Sequence, residues 1–143
     1  MNRSTKVIEE RGVIMPIKTK LFVSFDFDHD SRLKDLFVGQ AKHPDTPFEL
    51  ADWSIKEEIS ENWKKHARTR LRSVNCMAVL CGKNTHTARG IDAEIEIARE
   101  EKVPYFLLKG YSSETCTKPR AAANETMYNW TWDNVSALLK GAR

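Results

Sequence analysis

Residues 74–110 read VNCMAVLCGKNTHTARGIDAEIEIAREEKVPYFLLKG, and this stretch decides the fold class. NCMAVLC (75–81) is a short unbroken apolar run, the pattern of a strand buried on both faces. GKNTHTARG (82–90) is a polar loop with two glycines. IDAEIEIAREEK (91–102) carries apolar residues at helical spacing, and Val103-Pro104 ends it. PYFLLKG (104–110) is a second buried strand.

The same alternation continues upstream. LFVSF (21–25) reads as a buried strand, followed by the polar loop 26–30. Asp30 or Ser31 can cap a helix beginning near Arg32, with Leu33, Leu36 and Phe37 on one face. AKHPDTP (41–47) breaks the chain, and FELADW (48–53) is a shorter strand. Ser54 has the character of a helix N-cap, with Glu57 completing a capping box. Ile55, Ile59, Trp63, Ala67 and Leu71 then repeat every fourth position. Downstream, 111–125 is polar and irregular. Trp132, Val135, Leu138 and Leu139 form one face of a last helix starting about Asp133.

The order β-α-β-α-β-α-β-loop-α predicts an α/β fold with a mainly parallel sheet covered on both faces. Ligands of such sheets bind beyond the carboxyl ends of the strands. Here those ends are residues 26–30, 52–54, 82–90 and 109–111.

The chain has 143 residues, 41% hydrophobic and 30% charged, the size of one domain. Residues 1–17 show no sustained period and are expected to be a flexible basic leader before a domain at 18–143. Arg3, Lys6, Arg11, Lys18 and Lys20, against Glu9 and Glu10, supply the whole net charge of +3. The rest of the chain is neutral, which argues against nucleic acid as a partner. No run approaches the roughly 18 apolar residues of a membrane span. MNRSTKVIEERG lacks the apolar core of a secretory signal. Three cysteines, Cys76, Cys81 and Cys116, make neither a disulfide framework nor a zinc pattern, so reduced thiols, no metal and a cytoplasmic location are expected.

Glu94 is the most informative residue. At about 100° per residue it falls at about 300° from Ile91, inside the arc of Ile91, Ile95, Ile97 and Ala98. Asp92, Glu96, Arg99 and Glu100 fall on the solvent side. An inward carboxylate is costly unless it is paired or functional. An ion pair with a neighbouring Arg and a catalytic role both fit the spacing.

Asp26-Phe27-Asp28-His29-Asp30 follows the first strand. A calcium loop fails, because Ser31 stands where Gly is needed and Phe37 where Glu is needed. A phosphotransferase pair, a receiver-type phosphoacceptor and an acidic helix cap remain open readings. Trp53 can stack on a planar base or pack in the core. Trp63 lies on the apolar stripe. His86 sits in the loop before the Glu94 helix, either solvated or functional. GKNTHTARG matches no phosphate-loop fingerprint.

LFVSFD, FELADW, the stretch 74–110 and the closing YNWTWDNVSALL, in that order, resemble the bacterial TIR-like domains of the Thoeris ThsB group over about residues 18–140. The resemblance implies a flavodoxin-like, TIR-type three-layer sandwich. It implies cleavage of NAD at the nicotinamide-ribose bond, with Glu94 as the catalytic glutamate. NAD is then a substrate, and no other cofactor is expected. Phe22, Ser24 and Phe25 match the family's first-strand Phe-Ser-Phe. Ser24, Phe25, Asp26, Asp28, Trp53 and His86 are the expected nucleotide-binding residues. Catalytic members often carry a Trp three to five residues before the glutamate; Arg89, Gly90 and Ile91 stand there in this chain.

The leading expectation is an enzyme yielding ADP-ribose or a cyclic ADP-ribose-type signal in antiphage defence. A homo-oligomer and a downstream nucleotide-sensing effector are its expected partners. A non-catalytic adaptor acting through self-association is the second reading. A nucleoside deoxyribosyltransferase-like enzyme is the third.

Overall fold

The computed structural model describes residues 7–10, 13–16, 18–54, 58–141 and 143. Strands β1 (Val7–Glu10) and β2 (Val13–Pro16) form an antiparallel pair of their own. They fall within the expected leader, whose other residues lie outside the described ones.

The main sheet has five strands: β3 (Thr19–Ser24), β4 (Phe48–Trp53), β5 (Cys76–Cys81), β6 (Tyr105–Lys109) and β7 (Met127–Asn129). Their spatial order is β4-β3-β5-β6-β7, and every neighbouring pair is parallel. The order places the first strand of this sheet second from the edge, so the direction of winding reverses between β3 and β5. Such a switch point opens a crevice above the carboxyl ends of those two strands.

Four helices cover the sheet: α1 (Ser31–Ala41), α2 (Glu61–Arg72), α3 (Arg89–Glu100) and α4 (Trp132–Leu139). Strand alternation separates two cores. Met77, Val79 and Cys81 of β5 meet Trp63, Ala67 and Leu71 of α2 and Ile91, Ile95 and Ala98 of α3. Cys76, Ala78 and Leu80 meet Leu33 and Phe37 of α1 and Val135 and Leu138 of α4. All six residues of β5 are buried, as expected of a central strand with helices on both sides. The edge strand β4 alternates between more and less buried positions instead. This is the parallel sheet covered on both faces that the alternation of elements predicts, and the flavodoxin-like three-layer sandwich that the resemblance implies.

Several boundaries differ from expectation. α2 begins at Glu61, and its N-cap is Ser60, whose side chain accepts the Trp63 N–H at 3.1 Å. Ser54 is therefore not the cap; its hydroxyl is engaged elsewhere. Glu57 of the expected capping box and Ile55 of the apolar repeat lie outside the described residues. Ile59 precedes the helix and is exposed. Leu36 is 55% exposed, so the packed face of α1 is carried by Leu33 and Phe37. Asp30 is the N-cap position of α1 but caps it with no side-chain hydrogen bond. α3 starts two residues before Ile91, and Lys102 closes it with φ of 57°, the left-handed conformation that ends many helices. β7 lies in the stretch with no expected strand. Its three residues are too few to show a period.

Gly110 and Gly82 permit close approach beside the switch point. A Cβ on Gly110 would collide with the Leu33 side chain, and one on Gly82 with the Asp30 carboxylate. Among the described residues, no helix is long and apolar enough to cross a membrane.

Candidate functional site

A cavity of about 310 Å³ opens at the carboxyl end of the sheet, on the side covered by α2 and α3. The β3–α1 loop supplies one wall with Phe25, Asp26, Phe27, Asp28 and His29. The other wall is the start of α3 with the residues before it, from Thr87 to Ile91. Ile59 and Trp63 close the side, and Ser54 and Glu94 complete the lining.

Glu94 is placed by helix phase. One turn into α3, its position faces the sheet, and the side chain is 2% exposed. β3 alternates, so Phe22 and Ser24 share the face that looks at α3. The Ser24 hydroxyl donates to Glu94 Oε1 at 2.9 Å. Ser54 follows β4 and extends its ladder, its N–H donating to the Val23 carbonyl at 2.9 Å. Its Oγ accepts the Phe25 N–H at 3.1 Å and donates to Glu94 Oε1 at 2.5 Å. Both donors converge on one carboxylate oxygen. Among the described residues none donates to the other.

Burial pushes the Glu94 carboxyl up to about 7. The two serine hydroxyls and the positive charge of Arg70 oppose that rise, and the Asp52 carboxylate adds to it. An ion pair is thus not what accommodates this carboxylate: its direct partners are neutral hydroxyls. A buried carboxyl shifted this far, in a cleft, marks a candidate functional group.

The opposite wall holds a histidine–aspartate pair. His29 Nδ1 meets Asp26 Oδ2 at 2.6 Å. Asp26 Oδ1 accepts the Asp28 N–H at 3.1 Å. The hydrogen bond to Asp26 and that carboxylate's charge raise the His29 pKa above its ordinary value. Phe27 stacks on Phe25 with ring centroids 5.6 Å apart and is exposed at the rim. Arg89 is exposed and, among the described residues, forms no ion pair.

Of the residues singled out by the sequence, Glu94, Phe25, Asp26 and Asp28 line this cavity, and Ser24 touches it through Glu94. Two others stand apart. Trp53 is 38% exposed at the end of the edge strand, with Lys34 Nζ 5.3 Å from its ring centroid, and does not line the cavity. The His86 ring bonds Thr117 Oγ1 at 2.9 Å, also outside the cavity. Ser54 and His29 are residues that sequence reading did not assign to the site. Ser54 is disguised by the Ser-x-x-Glu spacing of a capping box. His29 has a faint signal, the three-residue step from Asp26 across a turn.

Asp30 lies on the other side of the sheet. It is buried, with Tyr111 Oη 3.3 Å from Oδ1 and Oδ2 without a partner among the described residues. Burial holds its carboxyl above the ordinary carboxylate range. Among the described residues no group of three His, Cys, Asp or Glu side chains could hold a metal ion. Among the described residues no disulfide joins Cys76, Cys81 or Cys116, and burial pushes the Cys81 thiol up to about 12.

A search of curated proteins finds no match. The family model described as the TIR-like domain of Thoeris protein ThsB matches residues 22–112, more than half of the chain. That span runs from β3 through β6 and includes Glu94, both serines and the whole β3–α1 loop. The chain belongs to the ThsB TIR-like domain family.

Proposed function

We propose that this chain cleaves the nicotinamide–ribose bond of NAD. The observation that carries the reading is a buried carboxylate, Glu94, at the base of an open cavity and held by two serine hydroxyls. As the bond to nicotinamide breaks, positive charge develops on the ribose. A fixed carboxylate beside it opposes that charge. The serines hold Glu94 through one oxygen, and among the described residues none donates to the other. The bound nicotinamide is itself a cation, which draws the Glu94 pKa down toward the charged form.

The remaining features suit a dinucleotide. The volume is at the small end of ligand pockets, which run from about 300 to 1,000 Å³. It suits the nicotinamide riboside half, with the other half along the exposed rim. Arg89, at the start of α3 where the helix dipole also favours an anion, is placed for the diphosphate. Phe27 offers a ring at the mouth and limits water there.

Attack by water on the ribose gives ADP-ribose. Attack by an internal hydroxyl or ring nitrogen gives a cyclic product, which suits a signal. In antiphage defence within the cytoplasm, a nucleotide-sensing effector would read that signal, and self-association of this chain would control its production.

The test is incubation of the purified protein with NAD across a range of concentration, with separation of the products. Nicotinamide together with ADP-ribose or a cyclic isomer is expected. Cleavage of simple nucleosides but not of NAD would favour a nucleoside deoxyribosyltransferase-like enzyme. No cleavage, with concentration-dependent assembly, would favour an adaptor.

A further inference from the structure

We infer that His29 is the base that accepts the proton of the attacking nucleophile in this cavity, with Asp26 as its positioning residue. The inference rests on the NAD-cleavage reading and assigns the step which that reading leaves open. Nicotinamide departure needs no acid, because the electron pair of the broken bond neutralises the pyridinium nitrogen. The nucleophile does need a base: water attacking the ribose carbon forms a C–O bond and must lose one proton.

Glu94 is poorly suited to take it. The carboxylate already accepts two hydroxyl donors on Oε1 and its side chain is only 2% exposed, and a proton deposited there would cancel its charge. Its charge is also the feature that stabilises the ribose cation. His29 has the complementary properties. It lines the same cavity and is 51% exposed. The Asp26 contact at 2.6 Å assigns the Nδ1 proton, because a carboxylate accepts and Nδ1 must donate. Nε2 then carries the lone pair, and no hydrogen bond occupies it among the described residues. Asp26 in turn is 8% exposed and tied through Oδ1 to the Asp28 N–H. A base oriented by a fixed carboxylate is the arrangement that hydrolytic sites use repeatedly.

Among the described residues, the charged groups around His29 are Asp26, Asp28 and Asp30 from its own loop, and Arg89 and Glu94 across the cavity. The three aspartates favour the imidazolium that forms when Nε2 takes the proton. The imidazolium then releases it through its exposed face. The balance is NAD and water giving ADP-ribose, nicotinamide and one proton. With an internal hydroxyl in place of water, NAD gives the cyclic product, nicotinamide and one proton, and no water is consumed.

The test is the pH dependence of kcat/KM for nicotinamide release. Two groups, Glu94 and His29, must both be deprotonated, so the logarithm of the rate should rise with a slope approaching two on the acid side. His29→Gln should lower the rate by about 10²-fold, the lower end of general-base contributions, and reduce the slope to one. His29→Ala should regain rate when imidazole is added, a response that a packing defect would not give. An active wild type with slope two and unchanged rate in His29→Gln overturns the role of His29 alone. A wild type that releases no nicotinamide at any pH or concentration overturns the NAD reading and this step with it.

Discussion

The Ser54 hydroxyl donates to Glu94 Oε1 at 2.5 Å, joining the end of an edge strand to the second turn of a helix forty residues away. The same oxygen of Ser54 accepts the Phe25 N–H. One side chain thus fixes both the carboxylate and the first residue of the loop facing it.

Removing that link should change the charge of Glu94. In Ser54→Ala one of the two hydrogen bonds that favour ionisation is lost, so the Glu94 pKa rises further above about 7. The acid limb of nicotinamide release should move to higher pH. Stability should fall by about 1.5–3 kcal/mol, the usual range for a hydrogen bond to a charged group. An unmoved acid limb in an active variant would show that Ser54 does not tune Glu94.

Glu94 should also make folding pH-dependent in a sense opposite to most carboxylates. Burial raises its pKa in the folded state to about 7, from an ordinary value of 4.5. Between those values the folded state binds more protons than the unfolded one, so stability falls as pH rises through the window. The ceiling is about 3 kcal/mol at about 1.36 kcal/mol per pH unit. Glu94→Gln removes this dependence. Its melting temperature should match wild type near pH 5 and exceed it at pH 8. A constant difference between the two proteins across that range would contradict the buried-carboxylate account.

Gly82 is required by contact, not by backbone angle. A Cβ there would meet the Asp30 carboxylate, so Gly82→Ala should cost about 1–3 kcal/mol as an overpacked core does. Adding Asp30→Ala should recover part of that loss. Urea unfolding of the two single variants and the double variant measures the coupling. Strict additivity would mean the two residues do not compete for the same space.

The cysteines should differ in reactivity. Cys76 and Cys81 are buried on opposite faces of β5, whereas Cys116 is half-buried. With its thiol pushed up to about 12, Cys81 holds almost no thiolate at neutral pH. A thiol reagent on native protein should modify Cys116 first, and Cys81 only on unfolding. Fast labelling of Cys81 would mean that β5 opens readily.

What the sequence made legible follows from periodicity. β5 and α3 have unbroken patterns, and the angle of Glu94 relative to Ile91 and Ile95 needs only helix geometry. The buried arc of α3 was therefore readable residue by residue. The start of α2 was not, because Ser54 and Ser60 both suit a cap and only the fold decides between them. Once Ser54 is committed to Glu94, Ser60 is left to accept the Trp63 N–H. β7 is three residues long and takes its place from pairing with β6. His29 and Asp26 meet across a loop turn, where no period constrains either side chain. Trp53 closes the edge strand and His86 lies in the connection between β5 and α3; at such ends no period fixes a side chain, and both meet other partners.

The central claim is tested most directly by nicotinamide release from NAD in wild type and Glu94→Gln, with thermal melting as the folding control. The two side chains are nearly isosteric, and Gln can still accept from both serines, so the fold should persist. What disappears is the charge opposing the ribose cation. A loss of about 10²–10³-fold in rate is predicted, the scale of one such electrostatic contact. Equal rates in the two proteins, both folded, would show that Glu94 is not the group that drives cleavage.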